Sequence, residues 1–132
     1  MITATINNSQ QKNEAVVETN GNRKEIMIPA KPDGSGSSVN GGELLFLSLA
    51  TCFCNDLYRE AARRKIEIKS VEVRVHGEFG KEGEPASNIV YSASVQSGSP
   101  AAEIAELVNY VDHVAEIHNT LRSGVTVSLL VK

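Results

Sequence analysis

The sequence has no tryptophan, few aromatic residues and only two cysteines. Aromatic side chains make up 5% of the 132 residues. Cys52 and Cys54 are too few for a disulfide scaffold or for a four-thiolate zinc site. The net charge of −3 at pH 7 gives no basic field. We therefore expect no nucleic acid and no anionic membrane among the partners.

The sequence also has no long hydrophobic run. Its most apolar stretch, residues 44–53, is much shorter than the roughly 20 residues that cross a bilayer. The first ten residues contain no basic segment followed by an apolar block, as a secretory signal would. We therefore expect a cytoplasmic location. With 41% hydrophobic and 22% charged residues, the composition is typical of a globular chain, and we expect one domain over residues 1–132.

Apolar and polar residues alternate through three short segments of the first thirty residues, which begin near Ile2, Ala15 and Ile26. A period of two predicts strands with one buried face. The polar residues 7–9 separate the first two segments, and Asn20-Gly21-Asn22, which carries a hairpin signal, separates the last two. These features predict a three-stranded antiparallel meander.

A long helix is predicted from Glu43 to about Lys65, with an acid at its start and bases at its end. Its first half is apolar nearly all round. A helix of this kind is buried on several sides, in a larger core than a chain of this length easily supplies. This pattern favours a partner subunit.

The rest of the chain predicts two strands, a second helix and a last strand. The strands alternate over 71–79 and 89–95, and the second helix has Ser99 as its N-cap and Pro100 at its first position. After Gly124, alternation over 125–129 predicts the final strand. The predicted order is β-β-β-α-β-β-α-β, which indicates an α+β fold.

Cys52 lies in the middle of the long helix, where it is either a buried core residue or one partner of a redox pair. Free cysteine is often a small buried hydrophobe, and both thiols fit that description. A Cys52–Cys54 disulfide is disfavoured because residues i and i+2 of a helix point to different faces. No second Cys or His pair has ligand spacing, so we expect no metal and no cofactor.

Two further residues could support a thiol, although each also has an ordinary interpretation. His118 follows the apolar stripe of the second helix. It is either a hydrogen-bonded residue near a helix end or a base and charge partner of a thiol. Arg23 follows the Asn-Gly turn and is either a solvated turn residue or a cation that stabilises a thiolate.

Two motifs resemble those of the family of osmotically induced protein C and the organic hydroperoxide resistance proteins (OsmC/Ohr). The first runs from Asn40-Gly41-Gly42-Glu43 through a Leu-rich helix to Cys52, and Cys52-Phe53-Cys54-Asn55-Asp56 is similar to the Cys-x-x-x-Asp of some members. The second, His118-Asn119-Thr120-Leu121, is similar to the end of the family's Cys-Pro-x-Ser-Asn-x-Leu motif. The order of elements also fits.

The resemblance implies an OsmC-like fold and an intertwined homodimer with the long helices at its core. It also implies an active site at the subunit interface. Family members with the full motif reduce organic hydroperoxides with two cysteines, as part of an oxidative stress response. The first becomes a sulfenic acid and the second condenses with it to a disulfide. An arginine and a glutamate activate the first thiolate, and lipoyl-bearing proteins recharge some members.

By the resemblance, the peroxide-attacking cysteine falls on Cys52 and the second cysteine on Ala115. The family's glutamate falls one residue before Glu43, and Arg23 is the one arginine among the N-terminal strands. Because the second cysteine is missing, we expect a one-cysteine peroxidase recharged by an external thiol or lipoyl reductant, with His118 supporting the thiolate. The alternative is an OsmC-like protein that binds a small apolar ligand and keeps both cysteines as core residues.

Overall fold

The computed structural model describes residues 1–131, which form two compact units. The first unit comprises Met1–Leu44 and the second begins at Leu45. Each unit is described by itself below. The expectation of one domain over the whole chain remains a prediction.

The first unit contains the predicted antiparallel meander, so that prediction is confirmed. Its strands are β1 (Ile2–Ser9), β2 (Lys12–Thr19) and β3 (Asn22–Ile26), in the order β1-β2-β3. The β2–β3 turn has positive φ at Asn20 (49°) and Gly21 (83°), which suits the twist of a two-residue hairpin. The first turn lies at residues 10–11, because residues 7–9 stay paired within β1.

The predicted buried face is wrong for β1. All eight of its residues are exposed, and Ile2 and Ile6 expose 75% and 53% of their surface. An alternating pattern shows which side chains share a face, but burial requires a second layer over that face. Ala15 and Ile28, each 9% exposed, are the buried residues of this unit.

The long helix is confirmed as α1 (Gly41–Arg63), which begins within two residues of the predicted start. Asn40 and Glu43 close its first turn: the backbone N–H of Glu43 donates to Asn40 Oδ1 at 2.8 Å, and the backbone N–H of Asn40 donates to Glu43 Oε1 at 3.0 Å. This reciprocal pair is a capping box and satisfies two N–H groups that the helix leaves free.

The second unit packs helices against one face of a two-stranded antiparallel sheet. The sheet consists of β4 (Ile68–Phe79) and β5 (Ala86–Ser97), followed by α2 (Ala101–Val114) and α3 (Glu116–Ser123). Side chains of α1, α2 and the α2–α3 junction form the core, with inward residues of both strands against them. The fully or almost fully buried members are Phe53, Leu57, Ala61, Leu107, Val111 and Ala115.

Where the sequence predicted one second helix, the structure has two, α2 and α3, so the predicted order of elements was wrong at this point. The chain breaks at Ala115, whose ψ of 108° is extended. A side-chain hydrogen bond spans this break: Asn119 Nδ2 donates to the carbonyl oxygen of His113, near the end of α2, at 2.9 Å. The predicted N-cap is also wrong: Pro100 occupies that position, and Ser99 makes no side-chain cap.

The predicted final strand is also wrong. Residues 125–131 have no regular secondary structure, although they carry the alternating apolar pattern. Val127 and Leu129 expose 95% and 91% of their surface. A strand forms only where its backbone groups find a neighbouring strand, and in these residues the chain finds none. The observed order is therefore β-β-β-α-β-β-α-α, still an α+β fold.

Among residues 1–131, no helix combines the length and the hydropathy that a bilayer-crossing segment requires.

Candidate active site

The sulfur of Cys52 lies against the N-terminal end of α3. Cys52 donates from Sγ to Oδ2 of Asp56, one helical turn later on α1, at 3.8 Å. The Sγ atom and carboxylate oxygens of Asp56 and Glu116 all lie within 4.8 Å of one another. Ala115, where the resemblance puts the second cysteine, directly precedes Glu116 and is fully buried.

The surroundings of Cys52 favour the neutral thiol. Burial raises the pKa of the Cys52 thiol, and the charges of Asp56 and Glu116 raise it further. The backbone of Ile117 acts in the opposite direction and lowers this pKa, but burial remains the larger effect. The thiolate fraction at pH 7 is therefore smaller than that of a free cysteine.

Asp56 is a buried carboxylate with two partners. It is 3% exposed, and its Oδ1 accepts a hydrogen bond from the guanidinium of Arg59 at 2.8 Å. Its second oxygen accepts the thiol hydrogen of Cys52. A charged partner offsets the cost of burying a carboxylate, so Asp56 remains an acceptor for the thiol proton.

One thiol and two carboxylates are also potential metal ligands. Cys52, Asp56 and Glu116 supply three donor atoms, whereas a structural zinc site uses four nitrogen or sulfur ligands. Asp56 is already paired with Arg59. This donor set therefore fits a structural zinc ion poorly.

Cys54 faces a different part of the surface. It lines a shallow hollow with Ala50, Thr51, Asn55 and Val73, none of which is charged. Cys52 and Cys54 are both free thiols and both half-buried. The two cysteines therefore have different electrostatic surroundings on one helix.

His118 is buried among aromatic rings. It is 4% exposed, and its ring centroid lies 4.6 Å from that of Tyr91 and 5.6 Å from that of Phe53. Neither ring nitrogen has a hydrogen-bond partner among the described residues. Burial lowers the pKa of His118. The structure therefore gives His118 no hydrogen bond to Cys52, and a role for it in activating the thiol stays a prediction.

Three charged or polar residues that sequence reasoning missed join β5, α2 and α3. The hydroxyl of Tyr91 donates to Oδ1 of Asp112, and Arg122 Nη2 donates to the same oxygen at 2.6 Å. Burial and the Asp112 carboxylate raise the pKa of Tyr91 to about 12. The hydrogen bond from Tyr91 and then that from Arg122 lower the pKa of Asp112. No sequence signal marks the three, which are far apart along the chain.

The other two predicted site residues have local partners in the first unit. Arg23 Nη2 lies 3.3 Å from Glu14 Oε1 in an exposed ion pair between β3 and β2. Glu43 belongs to the capping box at the start of α1. Their proposed roles in activating Cys52 stay predictions.

The family model described as "OsmC-like protein" matches residues 34–130 of this chain. The chain belongs to the OsmC-like protein family. The match includes α1 with Cys52 and the α3 segment that contacts its sulfur. The family resemblance of the two sequence motifs is thereby confirmed.

Solved structures of OsmC-like proteins share the fold. An OsmC-like protein from Mycoplasma pneumoniae is 21% identical, with a TM-score of 0.65 over 94% of this chain and 87% of that one. An organic hydroperoxide resistance protein OsmC from Legionella pneumophila is 20% identical, with a TM-score of 0.62 over 92% and 89%. One from Elizabethkingia anophelis is 17% identical, with a TM-score of 0.61 over 94% and 89%. No curated protein matches the sequence significantly.

Proposed function

We propose that this OsmC-like protein reduces organic hydroperoxides with one cysteine, Cys52, which an external thiol recharges. The observation that carries the proposal is the half-buried Cys52 sulfur, which is hydrogen-bonded to a carboxylate acceptor, Asp56. Two proteins of the same fold, from Legionella pneumophila and Elizabethkingia anophelis, are named as organic hydroperoxide resistance proteins. That name supports the substrate class.

In this reaction the sulfur attacks the peroxide oxygen that does not carry the alkyl group. An S–O bond forms and the O–O bond breaks, so that Cys52 is oxidised to a sulfenic acid and the peroxide is reduced to an alcohol. Asp56 accepts the thiol proton and passes it to solvent before the attack, and the leaving alkoxide takes up a proton from water. One external thiol then displaces water to form a mixed disulfide, and a second releases Cys52 as the free thiol.

The raised pKa of Cys52 gives this reaction a distinctive pH dependence. Because only the thiolate attacks, the rate should still be rising with pH above the range in which an ordinary cysteine of pKa about 8.5 would level off. A reducing compartment such as the cytoplasm would supply the thiols, and a lipoyl dithiol is a suitable donor.

The test is peroxide consumption with cumene hydroperoxide, in the presence of dithiothreitol, glutathione or dihydrolipoamide. Cys52→Ser should abolish turnover, and the matched variant Cys54→Ser should retain it. Asp56→Asn removes a carboxylate whose charge raises the pKa of Cys52, so the rate should level off at a lower pH than in the wild type. Equal residual turnover in both cysteine variants would refute the proposal.

The second candidate function is binding of a small apolar ligand without peroxide turnover. The observation that favours it is the environment of the thiol: burial and then the charges of Asp56 and Glu116 raise the pKa of Cys52 and so disfavour the thiolate. In that case Cys52 should resist iodoacetamide at pH 7 in the folded protein, and no thiol should support peroxide consumption.

The same proposal includes a homodimer. Leu47 on α1 is 59% exposed, and residues Val127, Leu129, Leu130 and Val131 are 82–95% exposed. The exposed apolar residues 129–131 are consecutive along the chain, and exposed apolar surface of this kind is typical of interaction sites. Sedimentation equilibrium should give twice the 14.2 kDa chain mass, and a single-chain mass at micromolar concentration would contradict the dimer.

A further inference from the structure

We propose that Glu116 makes the Cys52 site selective for uncharged hydroperoxides over anionic ones. The inference rests on the proposed function of Cys52 and adds the substrate class. Small hydroperoxides that carry a carboxylate a few ångströms from the peroxide group are then poor substrates, and small neutral alkyl or aryl hydroperoxides are good ones.

The position of Glu116 supports this inference. A carboxylate oxygen of Glu116 lies within 4.8 Å of the Cys52 sulfur. The break at Ala115 makes Glu116 the first residue of α3, and the backbone of the next residue, Ile117, contacts the sulfur. Any molecule that reacts with the sulfur therefore comes close to this carboxylate.

The two carboxylates near the sulfur differ in how far a positive partner compensates their charge. Asp56 is buried and forms an ion pair with Arg59 at 2.8 Å, so much of its charge is compensated. Glu116 is exposed and has no ion-pair partner among the described residues. Its uncompensated charge lies within 4.8 Å of the sulfur. A second negative charge some 6–7 Å away is disfavoured by about fivefold in rate at moderate salt.

Alkylation of the thiols tests the charge effect without requiring peroxide turnover. Iodoacetamide and iodoacetate are similar in size and differ in charge, and both react with the thiolate, so the ratio of their rates is independent of the thiol pKa. The ratio at Cys52, measured in Cys54→Ser, is compared with that at Cys54, measured in Cys52→Ser. The uncharged lining of the Cys54 hollow makes it the reference.

We expect the iodoacetamide preference at Cys52 to exceed that at Cys54 by about fivefold and to shrink with added salt. Glu116→Gln keeps the size of the side chain and should remove most of the difference. The matched control Glu106→Gln, which changes an exposed carboxylate of α2, should leave it unchanged. Equal preferences at the two cysteines, or an unchanged preference in Glu116→Gln, would overturn the inference.

A substrate pair then separates this inference from the proposed function. Cumene hydroperoxide should have a higher kcat/KM than the same compound with a para-carboxylate, and Glu116→Gln should narrow the gap. Turnover of both peroxides at equal kcat/KM would refute the selectivity and leave the reductase intact. Charge-selective alkylation with no turnover of either peroxide would refute the reductase, together with the assignment of a substrate class.

Discussion

Replacing His118 by phenylalanine should stabilise the folded protein. His118 is 4% exposed and neither ring nitrogen is hydrogen-bonded within the described part of the chain. A buried polar group without a partner costs about 1–3 kcal/mol. Phenylalanine removes that cost and retains the ring contacts with Tyr91 and Phe53.

The larger ring also has room. A cavity of about 120 Å³ adjoins His118 and is lined by Leu49, Leu121 and other residues of the second unit. Overpacking should therefore cost less than the roughly 1–3 kcal/mol seen in well-filled cores. We expect a net gain of about 1–2 kcal/mol in the free energy of unfolding, which raises the urea midpoint by about 1 M.

The gain in the free energy of unfolding from His118→Phe should be larger at acid pH. Burial, followed by the charge of Arg122, lowers the pKa of His118, whereas Asp112 and Asp56 raise it less. Below its unfolded pKa of about 6.5 the unfolded chain binds a proton that the folded protein does not. Wild-type stability therefore falls as the pH drops from about 6.5 toward the folded pKa. Phenylalanine does not titrate, so the stability of His118→Phe should not fall for this reason.

Urea unfolding followed by circular dichroism, at pH 7.5 and pH 5.0 and one protein concentration, measures both effects. His113→Phe, at an exposed position of α2, is the matched control and should change the midpoint little. A His118→Phe variant that is less stable than the wild type at both pH values, or that shows the same acid dependence, would refute the reasoning.

Three further predictions concern a hydrogen-bond network, a helix cap and the exposed tail. Asp112→Asn should lower the free energy of unfolding by about 1 kcal/mol, and no more, because the Asp112 side chain is already 40% exposed. Spectrophotometric titration of the variant should show that the pKa of Tyr91 has fallen from about 12. Asn40→Ala removes the helix cap and should cost about 1 kcal/mol, seen as a lower melting temperature. Val127→Lys with Leu129→Lys should shift sedimentation toward the monomer, and an unchanged mass would count against the exposed tail as a dimer contact.

Local patterns predicted most of the fold. Alternation marked the strands, and helical charge placement marked α1 to within two residues of each end. The errors arose where a neighbouring group decides the outcome. The break at Ala115 is closed by a side chain four residues later, and the tail over 125–131 has the composition of a strand without a partner strand.

The candidate site was predicted less completely than the fold. A four-residue spacing on one helix brought Cys52 and Asp56 together, and this pair is visible in the sequence. Glu116 reaches the same sulfur from another helix, and its position depends on the break that the sequence did not reveal. Residues that meet across different elements carry no local pattern, which is also why Tyr91, Asp112 and Arg122 were missed.

The chemistry of a cysteine depends on the charges around it more than on the motif that contains it. Cys52 and Cys54 are two residues apart on one helix, yet one sulfur lies within 4.8 Å of two carboxylates and the other lines an uncharged hollow. The proposed function requires a reactive Cys52, whereas burial and then the two carboxylates raise its pKa. A cysteine with a raised pKa can still react through its small thiolate fraction, which then limits the rate. The pH dependence of that rate therefore tests the proposed mechanism most directly.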